Sequence, residues 1–265
     1  MIKLGVNTVL FKGVDVKTAM KAIKMAGYDG VELSAIQGMC EHLVLDAWET
    51  QAPLIKAAAK EAGVELLSME AATLDEDRLT KAFKAAQALG IPVVNVGPGG
   101  KTGVEEDLKK SIETLAARAE LAAKYGVKLC TKAHVGAAID GTPTTLRAME
   151  EIKSESFGID MDPSHIYRAG EKPEDALASV VARMGHVHIR DCKGNGPSPG
   201  APIDQACGRG DINLYGYFKA LVDAGYDGPV CLEVIGPEQT LQQAQSIAAE
   251  SLGYMRACLK LLGAR

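Results

Sequence analysis

The residues most able to do chemistry stand at the ends of apolar runs. Residues 130–136 read CTKAHVG, and Lys132 and His134 follow the run 127–131 two residues apart. Side chains two apart on a strand share a side, so this cation and imidazole either reach solvent together at a strand end or face one site. Residues 158–170, GIDMDPSHIYRAG, carry Asp162 and His165. Residues 185–194, GHVHIRDCKG, carry His188, Arg190 and Asp191, and residues 229–234, PVCLEV, carry Glu233. Earlier runs end near Asn7, Glu32, Glu70 and Asn95. Taken singly, each has a plain reading: an acid after a strand caps the next helix or sits in water, and a histidine between Val and Ile packs. Taken together, Asp162, His188 and Glu233 converge on one face if successive strands place them side by side. Asp, His and Glu form the mixed oxygen and nitrogen ligand set suited to Mn²⁺, Mg²⁺, Co²⁺ or Zn²⁺. Charges gathered in such a place need a cation or a substrate to balance them.

A repeat of elements would do the placing. Eight β-like runs, at 2–6, 30–33, 64–69, 92–96, 127–131, 157–161, 186–189 and 230–234, alternate with helical patterns. The helical patterns lie at 16–26, 53–62, 76–89, 105–125, 144–153, 173–183, 214–224 and 240–262. Asp15, Asp75 and Asp211 stand where N-caps are expected, and Gly27, Gly63, Gly90, Gly126 and Gly225 where helices end. Alternation predicts parallel pairing. Eight units in 265 residues predict an α/β fold, a (β/α)8 TIM barrel forming one domain over 1–265. In such a barrel the carboxyl ends of the strands form the active face. A doubly wound open sheet is the rival, but no Gly-rich nucleotide turn follows the first run. AGYDGVEL (26–33) and AGYDGPVCLEV (224–234) are near-repeats, each a helix end, a turn and a strand reaching Glu.

Composition narrows the class. With 47% hydrophobic and 24% charged residues the chain reads as globular. A net charge of −5 argues against a face that neutralises nucleic-acid phosphates. No apolar run is long enough to span a membrane, and MIKLGVNTVLFKG, interrupted by Gly5 and Asn7, does not read as a signal peptide. The six cysteines include no C-x-x-C pair, so free thiols and a cytoplasmic location are expected.

FGIDMDPSHIYRAG, GHVHIRD and CGRGDINLYGYFKALVDAGYDGPVCLEV resemble the sugar isomerase/epimerase family with the xylose-isomerase-like TIM barrel. Ketose 3-epimerases, hydroxypyruvate isomerase, inosose dehydratase and, more distantly, endonuclease IV (AP endonuclease family 2) belong to it. The likeness covers the chain and is strongest from residue 127 onward. It implies one divalent metal held by a Glu on strand 5, an Asp on strand 6, a His on strand 7 and a Glu on strand 8. Asp162, His188 and Glu233 match the last three, and His165 matches a histidine that touches substrate. GRGDI (208–212) matches the loop entering the last helical unit. Lys132 stands where the strand 5 Glu is expected.

The resemblance implies an enediolate mechanism on a keto sugar or related polyol, with two carboxylates moving the proton. Here Glu233 is the expected main base. Lys132 has three readings: a second base, a permanent cation stabilising the enediolate, or a partner of Glu233 or Asp162 in a site without metal. His134 is a candidate catalytic group or fourth ligand. The alternative reaction is β-elimination on an inosose or 3-keto-glycoside, which needs one base and one acid, and a catalytically inactive sugar-binding relative is a further reading. An endonuclease would need more ligands than five histidines offer, and a basic groove. The loop 191–211 reads as a substrate cover, with Lys193 and Arg209 reaching substrate alongside Asp191, Glu70 and Asn7. His42 and Trp48 lie where an apolar lid is expected, and Trp48 reads equally as core. The expected partner is a small sugar, with no nucleic acid and no membrane. Oligomeric state is open between monomer and homo-oligomer.

Overall fold

The computed structural model describes residues 1–265. Eight parallel strands form its centre: β1 (Lys3–Asn7), β2 (Gly30–Ile36), β3 (Glu65–Glu70), β4 (Val93–Val96), β5 (Lys128–Thr131), β6 (Phe157–Met161), β7 (Met184–Ile189) and β8 (Pro229–Leu232). Each pairs with the next, and β1 pairs with both β2 and β8, so the sheet closes into the expected barrel. A two-residue strand, Cys40–Glu41, adds antiparallel to the end of β2. The strands are buried almost throughout because helices cover the outer face.

The helices are α1 (Val16–Ala26), α2 (Trp48–Ala62), α3 (Glu76–Leu89), α4 (Glu105–Ala123), α5 (Thr142–Glu151), α6 (Pro163–Arg168), α7 (Pro173–Val180), α8 (Leu214–Asp223) and α9 (Leu241–Leu261). Asp15 and Asp75 cap α1 and α3 by accepting from the Thr18 and Arg78 amides. Ala-rich inner faces let the helices lie close to the strands, and one apolar cluster of 70 buried residues joins both layers.

Several boundaries differ from the sequence reading for identifiable reasons. α2 begins at Trp48 and carries Pro53 inside it, whereas the proline reads as a helix start. α8 is capped by Asn213, which accepts from the Gly216 amide, while Asp211 accepts from the Gly194 amide inside the preceding loop. α6 is an additional turn of helix capped by Asp162. β5 and β8 stop at Thr131 and Leu232, so Lys132 and Glu233 begin the loops at the carboxyl-end face.

At the opposite end, Gly30 lies between Gly5 and Glu65. A Cβ on Gly30 would stand 2.5 Å from the Glu65 carbonyl oxygen and 2.7 Å from Leu67 Cγ. Gly30→Ala is therefore expected to lose about 1–3 kcal/mol in urea unfolding. An unchanged midpoint would mean that the β2–β3 contact can widen freely.

Candidate active site

Period-two alternation aims a column of polar side chains into the barrel. From β7 and its end come His186, His188 and Arg190, from β6 and its end Asp160 and Asp162, and from β3 Ser68 and Glu70; all are buried. Deepest lies His186, with Nδ1 2.9 Å from Asp160 Oδ1 and Nε2 2.9 Å from Ser68 Oγ. Above it, His188 Nε2 lies 2.5 Å from Glu32 Oε2 and Nδ1 2.6 Å from Asp160 Oδ2. The amides of Asn7 and Asn95 donate to the Glu32 carboxylate, and Asn7 also donates to Glu70 at 2.6 Å.

At the mouth sits the Lys132 ammonium, its residue only 6% exposed. It donates to both Glu233 oxygens at 2.9 and 3.0 Å, and lies 3.1 Å from His188 Nδ1 and 3.6 Å from Glu70 Oε1. Arg190 completes the cluster: Nη1 is 2.9 Å from Glu233 Oε2, Nη2 is 3.0 Å from Asp162 Oδ2, and Nε donates to Ser164 Oγ. The Nη1 contact lacks hydrogen-bond alignment, so this buried donor stays unsatisfied.

These contacts set the protonation states. Burial pulls the Lys132 pKa down, but Glu233, Glu70 and Asp162 more than reverse it, so the ammonium keeps its proton. Burial disfavours the Glu233 carboxylate, yet Lys132, His188 and Arg190 hold its pKa well below the ordinary value. Glu70 goes the other way: burial, then repulsion from Glu233, push it up to about 8. His188 is raised well above its usual value because Asp160 and Glu32 outweigh burial. Burial and the neighbouring Arg190 and Lys132 keep His165 well below its usual value, although Asp162 opposes them.

A cavity of about 270 Å³ opens above this cluster, with Glu70, Lys132, His134, His165, Arg190 and Glu233 on its wall. The backbone leaves β5 before Lys132, so this lysine and His134 reach the cavity from a loop rather than from one strand face. The His134 ring stacks at 4.1 Å from that of His165. Ile36, Met39 and the segment Gly97–Gly99 form the remaining rim.

Other expected residues lie elsewhere. Lys193 pairs with Asp204 and Arg209 with Glu250, both at the surface and outside the cavity lining. The Asp191 carboxylate accepts from the amides of Cys192, Gly208 and Ile212, so it ties the loop 191–211 together instead of facing the cavity. Asn7 lies below the cavity as a partner of Glu32 and Glu70. His42 bonds the Val14 carbonyl, and Trp48 packs against the core. Arg190, Asp160 and His186 were given no role by the sequence reading. The alternation in HVHIR is the signal that places 186, 188 and 190 on one side.

Asp162, His188 and Glu233, the expected metal ligands, are held apart by cations. Groups with ligand chemistry do occur: Glu32, Glu70 and His188 offer atoms within 4.8 Å of one another, as do Asp160, His186 and His188, and Glu32, His186 and Cys231. In the first group the carboxylates already accept from Asn7 and Asn95 and face Lys132 and His188, whereas in the second Asp160 Oδ2 faces His188 without an aligned hydrogen bond. As the side chains stand, Asp162, His188 and Glu233 present no common open set of donors to a divalent ion, because Lys132 and Arg190 stand among them.

A family model described as xylose isomerase-like TIM barrel matches residues 20–258. The chain is 24% identical over 225 residues to an inosose isomerase from Halalkalibacterium halodurans, a match covering 80% of each. It is 27% identical over 143 residues to an inosose dehydratase from Clostridium perfringens, covering 49% of this chain and 48% of that protein. Among solved structures, the IolI protein with a bound zinc atom superposes with a TM-score of 0.80 at 19% identity, covering 98% of this chain and 99% of the other.

The ion cluster makes Arg190 the most costly side chain to remove. Arg190→Met leaves Asp162 ionised and unpaired in the interior, and is expected to destabilise the protein by about 3–5 kcal/mol in denaturant melts. Adding Asp162→Asn should recover part of that loss. A double variant less stable than the single would show that the pairing is not the source.

Proposed function

The chain belongs to the xylose isomerase-like TIM barrel family, and from that premise we propose that it isomerises or epimerises a keto polyol of the ketose or inosose class. The observation that carries the reading is a pair of carboxylates, Glu70 and Glu233, on one cavity wall, with the Lys132 ammonium 2.9 Å from Glu233 but 3.6 Å from Glu70, so that Glu233 is held low in pKa and Glu70 pushed up. Sites whose titratable groups are pushed apart in this way assign their own acid and base. Glu233, ionised, takes the proton from the carbon beside the carbonyl. Glu70, protonated near neutral pH, returns a proton to carbon or oxygen.

The substrate carbonyl oxygen enters toward Lys132 and the unsatisfied Nη1 of Arg190. There it replaces Glu233 as the acceptor of the Lys132 hydrogen bonds and gives Arg190 Nη1 the acceptor it lacks. The exchange has two effects. It sets two charged donors on the oxygen that becomes the enediolate, which is where stabilisation accelerates the step. It also frees Glu233 from the partners that depress its basicity. The His134 and His165 rings wall the cavity beside the polyol. No step uses a divalent ion, although the resemblance implies one.

A second reading, dehydration, is supported by the match to an inosose dehydratase over about half the chain. In it Glu70 protonates a departing hydroxyl instead of carbon.

A panel of inososes and ketoses in heavy water tests the proposal, with deuterium uptake followed by NMR and enone absorbance reporting dehydration. Glu233→Gln is expected to lower exchange by about 10²–10⁴-fold and Glu70→Gln by a comparable factor, with folding intact. Lys132→Met should lower kcat by about 10²–10³-fold. Undiminished exchange in Glu233→Gln would move proton removal to another residue. Absence of any turnover across the panel would remove the keto-polyol assignment.

A further inference from the structure

We infer that the Lys132 ammonium occupies the position of a catalytic cation in this barrel, so that the protein works with a covalently attached charge and binds no divalent metal at its centre. The inference concerns the same site as the proposed reaction, but it rests on the cluster's geometry and not on the identity of the substrate.

Three carboxylate oxygens surround Lys132 Nζ as ligands surround an ion, Glu233 Oε1 and Oε2 and Glu70 Oε1, at 2.9, 3.0 and 3.6 Å, and His188 Nδ1, turned toward Asp160, stands 3.1 Å away. Those contacts use both oxygens of Glu233. Arg190 Nη1 lies 2.9 Å from the same Oε2, and its Nη2 takes the facing oxygen of Asp162. Ser164, through both its amide and its hydroxyl, takes the second Asp162 oxygen. Each ring nitrogen of His188 already faces a carboxylate, Glu32 on one side and Asp160 on the other. Asp162, His188 and Glu233 therefore have no common vacant direction in which to hold a metal. A divalent ion among them would sit beside an ammonium and a guanidinium, both of which repel it. Lysine is also chemically apt: it keeps its charge, offers three donors and presents them as a compact point charge.

The exchange has a definite electrostatic signature. Lys132→Glu removes one positive charge and adds one negative charge, which together equal the charge of one divalent ion. The carboxylates left around position 132 would then lack compensation and offer oxygen ligands instead.

Metal analysis of the purified wild-type protein, followed by calorimetric titration with Mn²⁺ and Co²⁺, tests the inference. The wild type is expected to hold far less than one ion per chain, to show no saturable binding in the millimolar range, and to keep its melting temperature in EDTA. Lys132→Glu is expected to bind about one Co²⁺ per chain, at least about 100-fold more tightly than the wild type, with visible d–d absorption. A wild-type protein that carries about one chelator-removable ion per chain and loses melting temperature in EDTA would overturn the inference. So would a folded Lys132→Glu protein that binds no more tightly than wild type. If that variant does not fold, the wild-type titration and EDTA melt decide alone. Loss of turnover on every keto polyol would leave these measurements untouched, so the two proposals fail separately.

Discussion

Five carboxylates, those of Glu32, Glu70, Asp160, Asp162 and Glu233, lie almost without solvent at one end of a barrel, and their compensation constrains everything around them. An isolated buried carboxylate costs several kcal/mol, and a paired one is tolerated only when its remaining lone pairs are also met. The chain meets that demand with Lys132, Arg190 and the doubly faced ring of His188, helped by the amides of Asn7 and Asn95. Glu70 has the weakest compensation, a 3.6 Å contact with Lys132 and one amide, and it is the carboxylate pushed upward in pKa. Unequal compensation thus pushes the pKa values of like groups apart, which is the asymmetry that the proposed acid and base roles use.

This arrangement links stability to function through the same contacts. Glu233 is held by both cations in the resting site, which makes it secure but poorly basic. In the proposed reaction, a substrate oxygen that competes for those cations makes the base effective at the moment when an oxyanion needs stabilising. The cluster is preorganised: the ammonium is fixed by Glu233 and the guanidinium by Asp162 and Ser164, so both need little rearrangement. The deeper tier of His186, Asp160 and Ser68 supports His188 from below, in the way that outer hydrogen bonds orient groups at a centre.

The barrel was legible in the sequence because alternation of short apolar runs with capped, Ala-rich helices leaves few packings open. Asp15 and Asp75 act as the caps they resemble. The misplaced ends are those where local signals compete, as with Pro53 inside α2 and Asp211, which serves a loop while Asn213 caps α8. At the site, Lys132, His165 and Glu233 are found on one cavity wall, as the strand-end argument expects. Which ion balances them could not be read from spacing. The direction of the Lys132 side chain depends on β5 ending at Thr131, and the reach of Arg190 to both Asp162 and Glu233 depends on the closure of three strands. Lys193 and Arg209 illustrate the converse: a Gly- and Pro-rich loop reads as a substrate cover, yet Asp191 and Gln205 tie it to itself and to the chain after β8.

Anomalous diffraction from a crystal grown in Mn²⁺ tests the account most directly, because it locates the ion and the lysine together. The account predicts no anomalous peak among Asp162, His188 and Glu233, with Lys132 Nζ in density within hydrogen-bond distance of both Glu233 oxygens. A full-occupancy manganese peak between those three residues, with the Lys132 side chain turned out of the barrel, would contradict it.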